Sequence, residues 1–171
     1  ENDNPKTLGL QIQPNTSTMS RLTINSSGGI EINGGWSNVI FTYNDSNGLL
    51  AIYINGQLDK VETIPVEYRN KFSYWTGLPY FGNDFHGNID EVAIWDTPLD
   101  TDDISDVYNN HLGYTDLRQN NSSGGYDKSD NLIAYWRFNE GSGLDIDDSV
   151  GPYDLTINVH NIAGGQSAEW D

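Results

Sequence analysis

A hairpin pattern in the first half of the chain restricts the fold more than any other feature of the sequence. Two runs rich in β-branched and aromatic residues, Trp36–Tyr43 and Leu49–Ile54, flank a short polar loop that ends at Gly48. The dipeptide Asn55-Gly56 is the strongest short-range signal for a tight turn, and it leads into a third run at Gln57–Ile64. The three runs predict an antiparallel meander.

Other short runs with strand character follow the same rule. They are separated by clusters of Gly, Asn, Asp and Ser, and the chain contains 18 Gly and 12% aromatic residues. Strands that must each end in a tight turn are typical of a sandwich or barrel. The runs lie at residues 7–13, 22–24, 30–32, 87–95, 132–138 and 155–159, with a change of spacing at Asp90-Glu91 that predicts a β-bulge.

One segment is predicted to be helical. Asp100 or Thr101 can cap it, and its apolar residues recur at helical spacing before Gly113, which is a plausible stop. These apolar residues are Ile104, Val107, Tyr108 and Leu112. The sequence therefore predicts an all-β fold with one short helix near residues 100–111.

The charge of the chain excludes some classes of partner. Eight Lys and Arg face 25 Asp and Glu, for a formal net charge of −17. Such a surface repels a phosphate backbone, so nucleic acid is not expected as a partner. Insertion into a membrane is not expected either, because no apolar run of the required length occurs. The absence of cysteine excludes disulfides and thiolate metal sites, and the beginning at Glu1 suggests a mature product or a segment of a longer polypeptide.

Two motifs carry a family resemblance. Trp36–Tyr43 and Leu50–Gly56 resemble the central strands of laminin G-like, concanavalin A-like lectin domains. Gly87–Trp95 resembles the closing element of the same family, although Asp103 stands where Glu is usual after it. The resemblance covers about residues 30–112 and implies an antiparallel β-sandwich of the concanavalin A-like jelly-roll type.

The end of the chain departs from the family order. Leu132–Gly143 resembles the segment that normally opens such a domain, yet here it comes late. The domain is circularly permuted, or a second copy begins here, or these residues add strands to the same sandwich. We expect a laminin G-like sandwich at 1–114, a polar connector at 115–131 and trailing strands at 132–171 that pack on the same sandwich, with a second repeat as the alternative.

No catalytic constellation is expected. Glucanases of this fold place two glutamates on one strand, in the spacing Glu-x-Asp-x-x-Glu, and neither glutamate position is occupied at 88–93. Asp90 and Glu91 are predicted to accept backbone N–H bonds at the bulge. The three histidines, His86, His111 and His160, are too scattered for a zinc site.

Two groups of residues are candidate binding sites. Aromatic rings beside polar side chains suit a sugar, and they occur together at Tyr74, Trp75, Tyr80, Phe81, Asn83 and Asp84; the alternative is that the rings fill a core or a subunit interface. Ca²⁺ is the expected cofactor, because it takes hard oxygen ligands. Its candidate ligands are Asp145, Asp147 and Asp148, with Asn83 and Asp84 as further candidates; ordinary turn chemistry is the alternative.

The resemblance favours a non-catalytic glycan-binding or adhesion module of a larger secreted or virion-surface protein. One alternative is a structural or decoration subunit of a phage capsid, tail or fibre that acts through protein–protein contacts. Another is an accessory domain of a glycoside-active enzyme. The expected partners are therefore a glycan or neighbouring structural subunits, in a homo-oligomer or a large assembly, outside the cell or on a virion surface.

Overall fold

The structure is a computed structural model, and it describes residues 6–12, 22–30, 35–69, 87–109 and 115–157. The described residues form two compact units, with chain boundaries at 74/75, 96/97 and 127/128. The chain therefore passes from the first unit to the second and back before it completes the second unit.

The first unit contains two antiparallel sheets. One pairs β1 (Lys6–Ile12) with β2 (Leu22–Ile30), and the other has the order β3 (Val39–Asn44), β4 (Leu49–Ile54) and β5 (Gln57–Thr63). The predicted meander is therefore confirmed. A 3-10 turn at residues 66–68 follows it.

The turn between β4 and β5 has the geometry that its sequence predicts. Asn55 and Gly56 have φ values of 51° and 70°, as the central residues of a type I′ hairpin turn require. Gly48, at the end of the preceding loop, also has a positive φ, of 74°. A side chain at Gly48 would place its Cβ 2.2 Å from Nε of Arg69, which donates a hydrogen bond to the carbonyl of Ile64.

Strand β2 is longer than predicted. The Ser-Ser-Gly-Gly segment was expected to separate two short strands, yet β2 continues through it to Ile30. The carboxylate of Asp59 on β5 accepts the backbone N–H groups of Ser27 and Gly28, at 2.6 Å each. The buried hydroxyl of Ser26 accepts the N–H of Leu8, at 2.9 Å. The side chain of Asp59 from β5 and the backbone of β1, through Ser26, thus hold an extended conformation that the local sequence disfavours.

The two sheets of the first unit share a core. Ile24 of β2 belongs to the same buried cluster as Leu50 and Ile52 of β4 and Ile64. Leu50, Ala51 and Ile52 are consecutive buried residues of β4, as expected for the central strand of a sheet with both faces largely covered. Sheets that bury apolar side chains against each other are the packing unit of a β-sandwich.

The predicted helix is present but ends early. Helix α1 spans Thr101–Tyr108, and Asp100 caps it by accepting the N–H groups of Asp102 and Asp103. The side chain of Asp103 accepts the N–H of Asp100 in return, which completes a capping box. The helix ends at Asn109, in the left-handed conformation with φ of 43°, rather than near residue 111. Asn adopts this conformation more readily than most residues; the predicted stop at Gly113 lies outside the described residues.

The second unit contains two small antiparallel sheets. They pair β6 (Val92–Trp95) with β7 (Leu132–Trp136), and β8 (Asp145–Ile146) with β9 (Leu155–Thr156). Their shared core is a buried cluster of Ala134, Trp136, Ile146 and Leu155. Trp136 is 1% exposed, and its indole N–H donates to the carbonyl of Tyr153 at 2.7 Å.

Strand β6 begins later than predicted, at Val92 instead of residue 87. Glu91 has a φ of 51°, and a residue in the left-handed region cannot continue a strand. The irregularity of the ladder lies between Ile94 and Trp95, not at Asp90-Glu91 as predicted. At the other ends, β7 stops at Trp136 instead of residue 138, and β9 at Thr156.

The predicted fold class is confirmed: the described residues form antiparallel sheets with one short α-helix, as in a concanavalin A-like β-sandwich. The trailing strand β7 pairs with β6, from the segment that was assigned to the first domain. The domain boundaries at 114/115 and 131/132 stay a prediction. Within the described part of the chain, neither the length nor the apolar character needed for a bilayer crossing occurs in a helix.

Candidate functional site

An open polar depression lies in the first unit, between the last turn of α1 and the segment that follows residue 114. It has a volume of about 360 Å³, within the usual range for small-ligand sites. The described residues that line it carry carboxylate, amide or hydroxyl groups, namely Asp106, Asn109, Thr115, Asp116, Gln119, Asn120, Asn121 and Ser122. We call it the polar pocket.

The segment that follows residue 114 and lines the polar pocket is anchored to α1 through its first residue, Thr115. The hydroxyl of Thr115 donates to the backbone carbonyl of Asp106, at 2.9 Å. Carbonyls in the last turn of a helix lack partners inside the helix, so this hydrogen bond both satisfies one of them and holds the incoming chain. The wall of the pocket is therefore anchored to a regular element.

The side chain of Asp106 organises the return of the segment. One of its oxygens accepts the amide N–H of the Asn121 side chain and the backbone N–H of Tyr126, the latter at 3.0 Å. The backbone approaches this carboxylate very closely at Gly125, where a Cβ would lie 2.1 Å from it. Gly125 also has a φ of 97°, so only glycine suits the position.

The buried side chain of Tyr126 anchors the other end of the segment. It is completely buried, and its hydroxyl donates to the carbonyl of Leu117, which is also buried, at 2.8 Å. The backbone N–H of Asn121 donates to the carbonyl of Tyr126, at 2.7 Å. The lining of the polar pocket therefore rests on a packed aromatic ring with its polar atom satisfied.

The second carboxylate of the polar pocket, that of Asp116, forms a bidentate ion pair with Arg118, which we call the fork. Asp116 accepts Nε and Nη2 of Arg118 at 2.8 and 2.9 Å, the bidentate geometry of a strong Arg–carboxylate pair. It also accepts the backbone N–H of Arg118, at 3.1 Å. This ion pair is partly exposed, so its contribution to stability is small, but it fixes the orientation of the carboxylate.

The polar pocket offers hydrogen-bond donors and acceptors in close proximity. Amides and hydroxyls do both, and carboxylates accept. A hydroxyl-rich ligand needs this combination, since each of its hydroxyls donates one hydrogen bond and accepts others. The site was missed in the sequence because 115–131 was interpreted as a polar connector. The buried Leu117 and Tyr126 within that polar segment were the signal that it packs instead.

The predicted sugar site lies outside the described residues. This applies to each of its members, Tyr74, Trp75, Tyr80, Phe81, Asn83 and Asp84. The aromatic-loop site therefore stays a prediction.

The predicted calcium ligands lie in the second unit. Asp148 accepts the backbone N–H groups of Tyr135, Val150 and Tyr153, at 2.9, 3.0 and 3.2 Å. Burial raises the pKa of this carboxyl, but these hydrogen bonds and one from Gly151 outweigh burial and hold the pKa below its ordinary value. Its carboxylate is thus already occupied as an acceptor of backbone N–H groups.

The other two predicted ligands are less engaged. The carboxylate of Asp145 contacts the hydroxyl of Thr156 at 3.3 Å, and the side chain of Asp147 is exposed. Among the residues that the structure describes, no three His, Cys, Asp or Glu side chains are grouped to hold a metal ion. Calcium binding stays a prediction.

A second carboxylate cluster lies at the start of β6. The hydroxyl of the buried Tyr135 donates to Glu91, whose other oxygen is 3.8 Å from Nε of Arg137. Desolvation raises the pKa of Glu91 despite these partners, and it also raises the pKa of Asp90. Asp90 accepts the N–H of Glu91, at 3.0 Å, as predicted, but the partners of Glu91 are side chains and not the predicted backbone N–H groups. The cluster ties β6 to β7.

Comparison with known families identifies the framework that carries these sites. A family model described as the concanavalin A-like lectin/glucanases superfamily matches residues 2–105. The match ends immediately before Asp106, so the lining of the polar pocket lies beyond it. Searches of curated proteins and of solved structures found no match. Because the family model covers more than half of the 171 residues, the chain belongs to the concanavalin A-like lectin/glucanase superfamily.

Proposed function

We propose that the chain is a non-catalytic glycan-binding module of a larger secreted or virion-surface protein, and that the polar pocket contacts the glycan. Membership of the superfamily supports a carbohydrate-binding or adhesion-type module in general. The observation that carries the finer proposal is the pocket itself: a depression of about 360 Å³ whose described lining consists entirely of hydrogen-bonding side chains.

The preorganisation of the pocket favours binding. Thr115, Asp106 and Tyr126 fix its lining through hydrogen bonds to backbone groups. A ligand that binds to a fixed lining does not have to order it, so less of the interaction free energy is lost to conformational entropy. Hydroxyl groups of a sugar can then exchange water for amide and hydroxyl partners of defined position.

The carboxylates of the pocket suit binding better than glycoside hydrolysis. A hydrolase needs one protonated carboxyl as general acid. Asp116 accepts a bidentate guanidinium, and Asp106 accepts two N–H groups, so both carboxylates are already engaged as hydrogen-bond acceptors and neither is placed to donate a proton. We therefore expect no release of reducing ends when glycans are incubated with the purified chain.

The first test is a glycan array, followed by calorimetry with the best ligand. In the double variant Gln119→Ala/Asn120→Ala, which removes two amides from the pocket, we expect at least about tenfold weaker binding, corresponding to about 1.4 kcal/mol. Gln57→Ala is the matched control, because Gln57 is an exposed amide outside the pocket. It should leave the affinity unchanged.

The same experiment separates the polar pocket from the aromatic-loop site. Loss of binding in Trp75→Ala with unchanged binding in the double variant would move the site to the aromatic loop. An array without any bound glycan, together with self-association in light scattering, would instead favour the structural-subunit alternative.

A further inference from the structure

The charged side chains in the described lining of the polar pocket are all acidic, and the cation that pairs with one of them, Arg118, lies outside the lining. Two of the eight described lining residues, Asp106 and Asp116, are carboxylates, and none is Lys, Arg or His. Arg118 is held by the fork on Asp116. Over the whole chain, 25 acidic residues face eight basic ones, so the surrounding field has the same sign.

The helix adds to this charge. Asp106 and Asn109 belong to the last turn of α1 and to its C-cap, and that turn carries no basic residue. The C-terminal end of a helix carries a partial negative charge from its aligned peptide dipoles. The pocket is therefore built at the end of the helix that repels anions.

We infer that the polar pocket selects uncharged sugars and discriminates against glycans that carry a carboxylate or sulfate at the contacting residue. This inference rests on the proposed glycan-binding function. A neutral sugar presents hydroxyls and N-acetyl amides, for which the lining provides both donors and acceptors. A uronic acid, a sialic acid or a sulfated sugar would bring a full negative charge to Asp106 and Asp116 and would lose part of its hydration.

The discrimination is measurable with a matched pair of ligands. The probe is a neutral oligosaccharide from the array and the same oligosaccharide oxidised to a uronate at the contacting sugar, titrated by calorimetry in EDTA so that no divalent cation bridges the charges. At an ionic strength of about 20 mM we expect the uronate to bind at least about tenfold more weakly. At about 500 mM salt the difference in affinity between the neutral oligosaccharide and the uronate should decrease, because salt screens exposed charges. The affinity for the neutral sugar should stay constant.

A variant that removes one carboxylate tests whether the polar pocket causes the discrimination against the uronate. Asp116→Asn removes one negative charge from the pocket and the bidentate ion pair with Arg118, so the difference in affinity between the neutral sugar and the uronate should shrink by about threefold or more. Glu67→Gln is the control, since it changes the net charge by the same amount at an exposed residue outside the pocket. It should leave the gap unchanged. The salt dependence needs no variant and decides the question even if Asp116→Asn does not fold.

The two titrations distinguish a failure of the charge discrimination from a failure of glycan binding itself. Equal or tighter binding of the uronate in EDTA overturns the inference and leaves glycan binding intact, as does a gap that does not respond to salt. The absence of binding to both ligands overturns the proposed function and the inference with it.

Discussion

The carboxylate of Asp148 is the best position at which to test the structure of the second unit. Three hydrogen bonds join it to the backbone N–H groups of Tyr135, Val150 and Tyr153. In Asp148→Ala, the N–H of Tyr135, which lies on the buried strand β7, loses its partner at a cost of about 1–3 kcal/mol. Water can replace the two exposed bonds in part, so their loss adds about 1 kcal/mol.

We therefore expect Asp148→Ala to lower the free energy of unfolding by about 2–4 kcal/mol and the Tm by about 6–12 °C. Chemical denaturation followed by tryptophan fluorescence is the assay, because the buried Trp136 donates to the carbonyl of Tyr153 in the same loop. The measurement is made in EDTA, so that a bound cation cannot contribute. Asp147→Ala is the matched control: its carboxylate is exposed in the same loop, and its loss should change the free energy by less than about 0.5 kcal/mol.

The pH dependence of this contribution follows from the lowered pKa of Asp148. A carboxyl whose pKa is lower in the folded state stabilises the fold above the pKa of the unfolded chain, about 4, and loses this effect as the pH falls through the folded-state value. The difference in stability between the wild type and Asp148→Asn should therefore decrease below about pH 4. Equal stability of the wild type and Asp148→Ala at neutral pH would refute the assignment of these hydrogen bonds.

Three further predictions concern other parts of the chain. Gly56→Ala should lower the free energy of unfolding by about 1–2 kcal/mol, because Gly56 has a φ of 70° and the new Cβ would lie 2.6 Å from the ring of Tyr108; thermal unfolding measures this. Asp103→Ala should cost about 2–3 kcal/mol, since its buried carboxylate accepts the N–H groups of residues 100 and 127, whereas Asp102→Ala, at an exposed neighbour, should cost about 0.5 kcal/mol. The calcium prediction expects that Ca²⁺ raises the Tm of EDTA-treated protein and that Asp145→Asn abolishes the rise; an unchanged Tm with Ca²⁺ would contradict it.

The parts of the fold that the sequence predicted well are those with local causes. Strand β4 has the predicted bounds, Leu49–Ile54, because a loop and a tight turn at its two ends fix it within a few residues. Asp100, the cap of α1, was one of the two predicted capping residues, and its partners are two and three residues away. In both places the deciding contacts lie within the same short window of sequence.

The parts that were missed depend on contacts between distant residues. The Ser-Ser-Gly-Gly segment has turn composition, but Asp59, about 30 residues later, holds it in β2. The polar pocket depends on Asp106 of α1, whose side chain accepts hydrogen bonds from Asn121 and Tyr126 in the segment that follows the helix. Local composition does not reveal partners that are distant in sequence, so the structured segment at 115–131 was interpreted as a connector.

The pairing of β6 with β7 has a consequence for how the chain is produced and subdivided. About 40 residues separate the two strands in sequence, and all of them must leave the ribosome before β6 meets its partner. Until then β6 lacks the strand with which it pairs among the described residues, and an unpaired strand edge is a template for association with other chains. A gene fragment designed on the family match, ending at residue 105, would keep β6 in that state permanently, so expression trials should extend through β9 at Thr156.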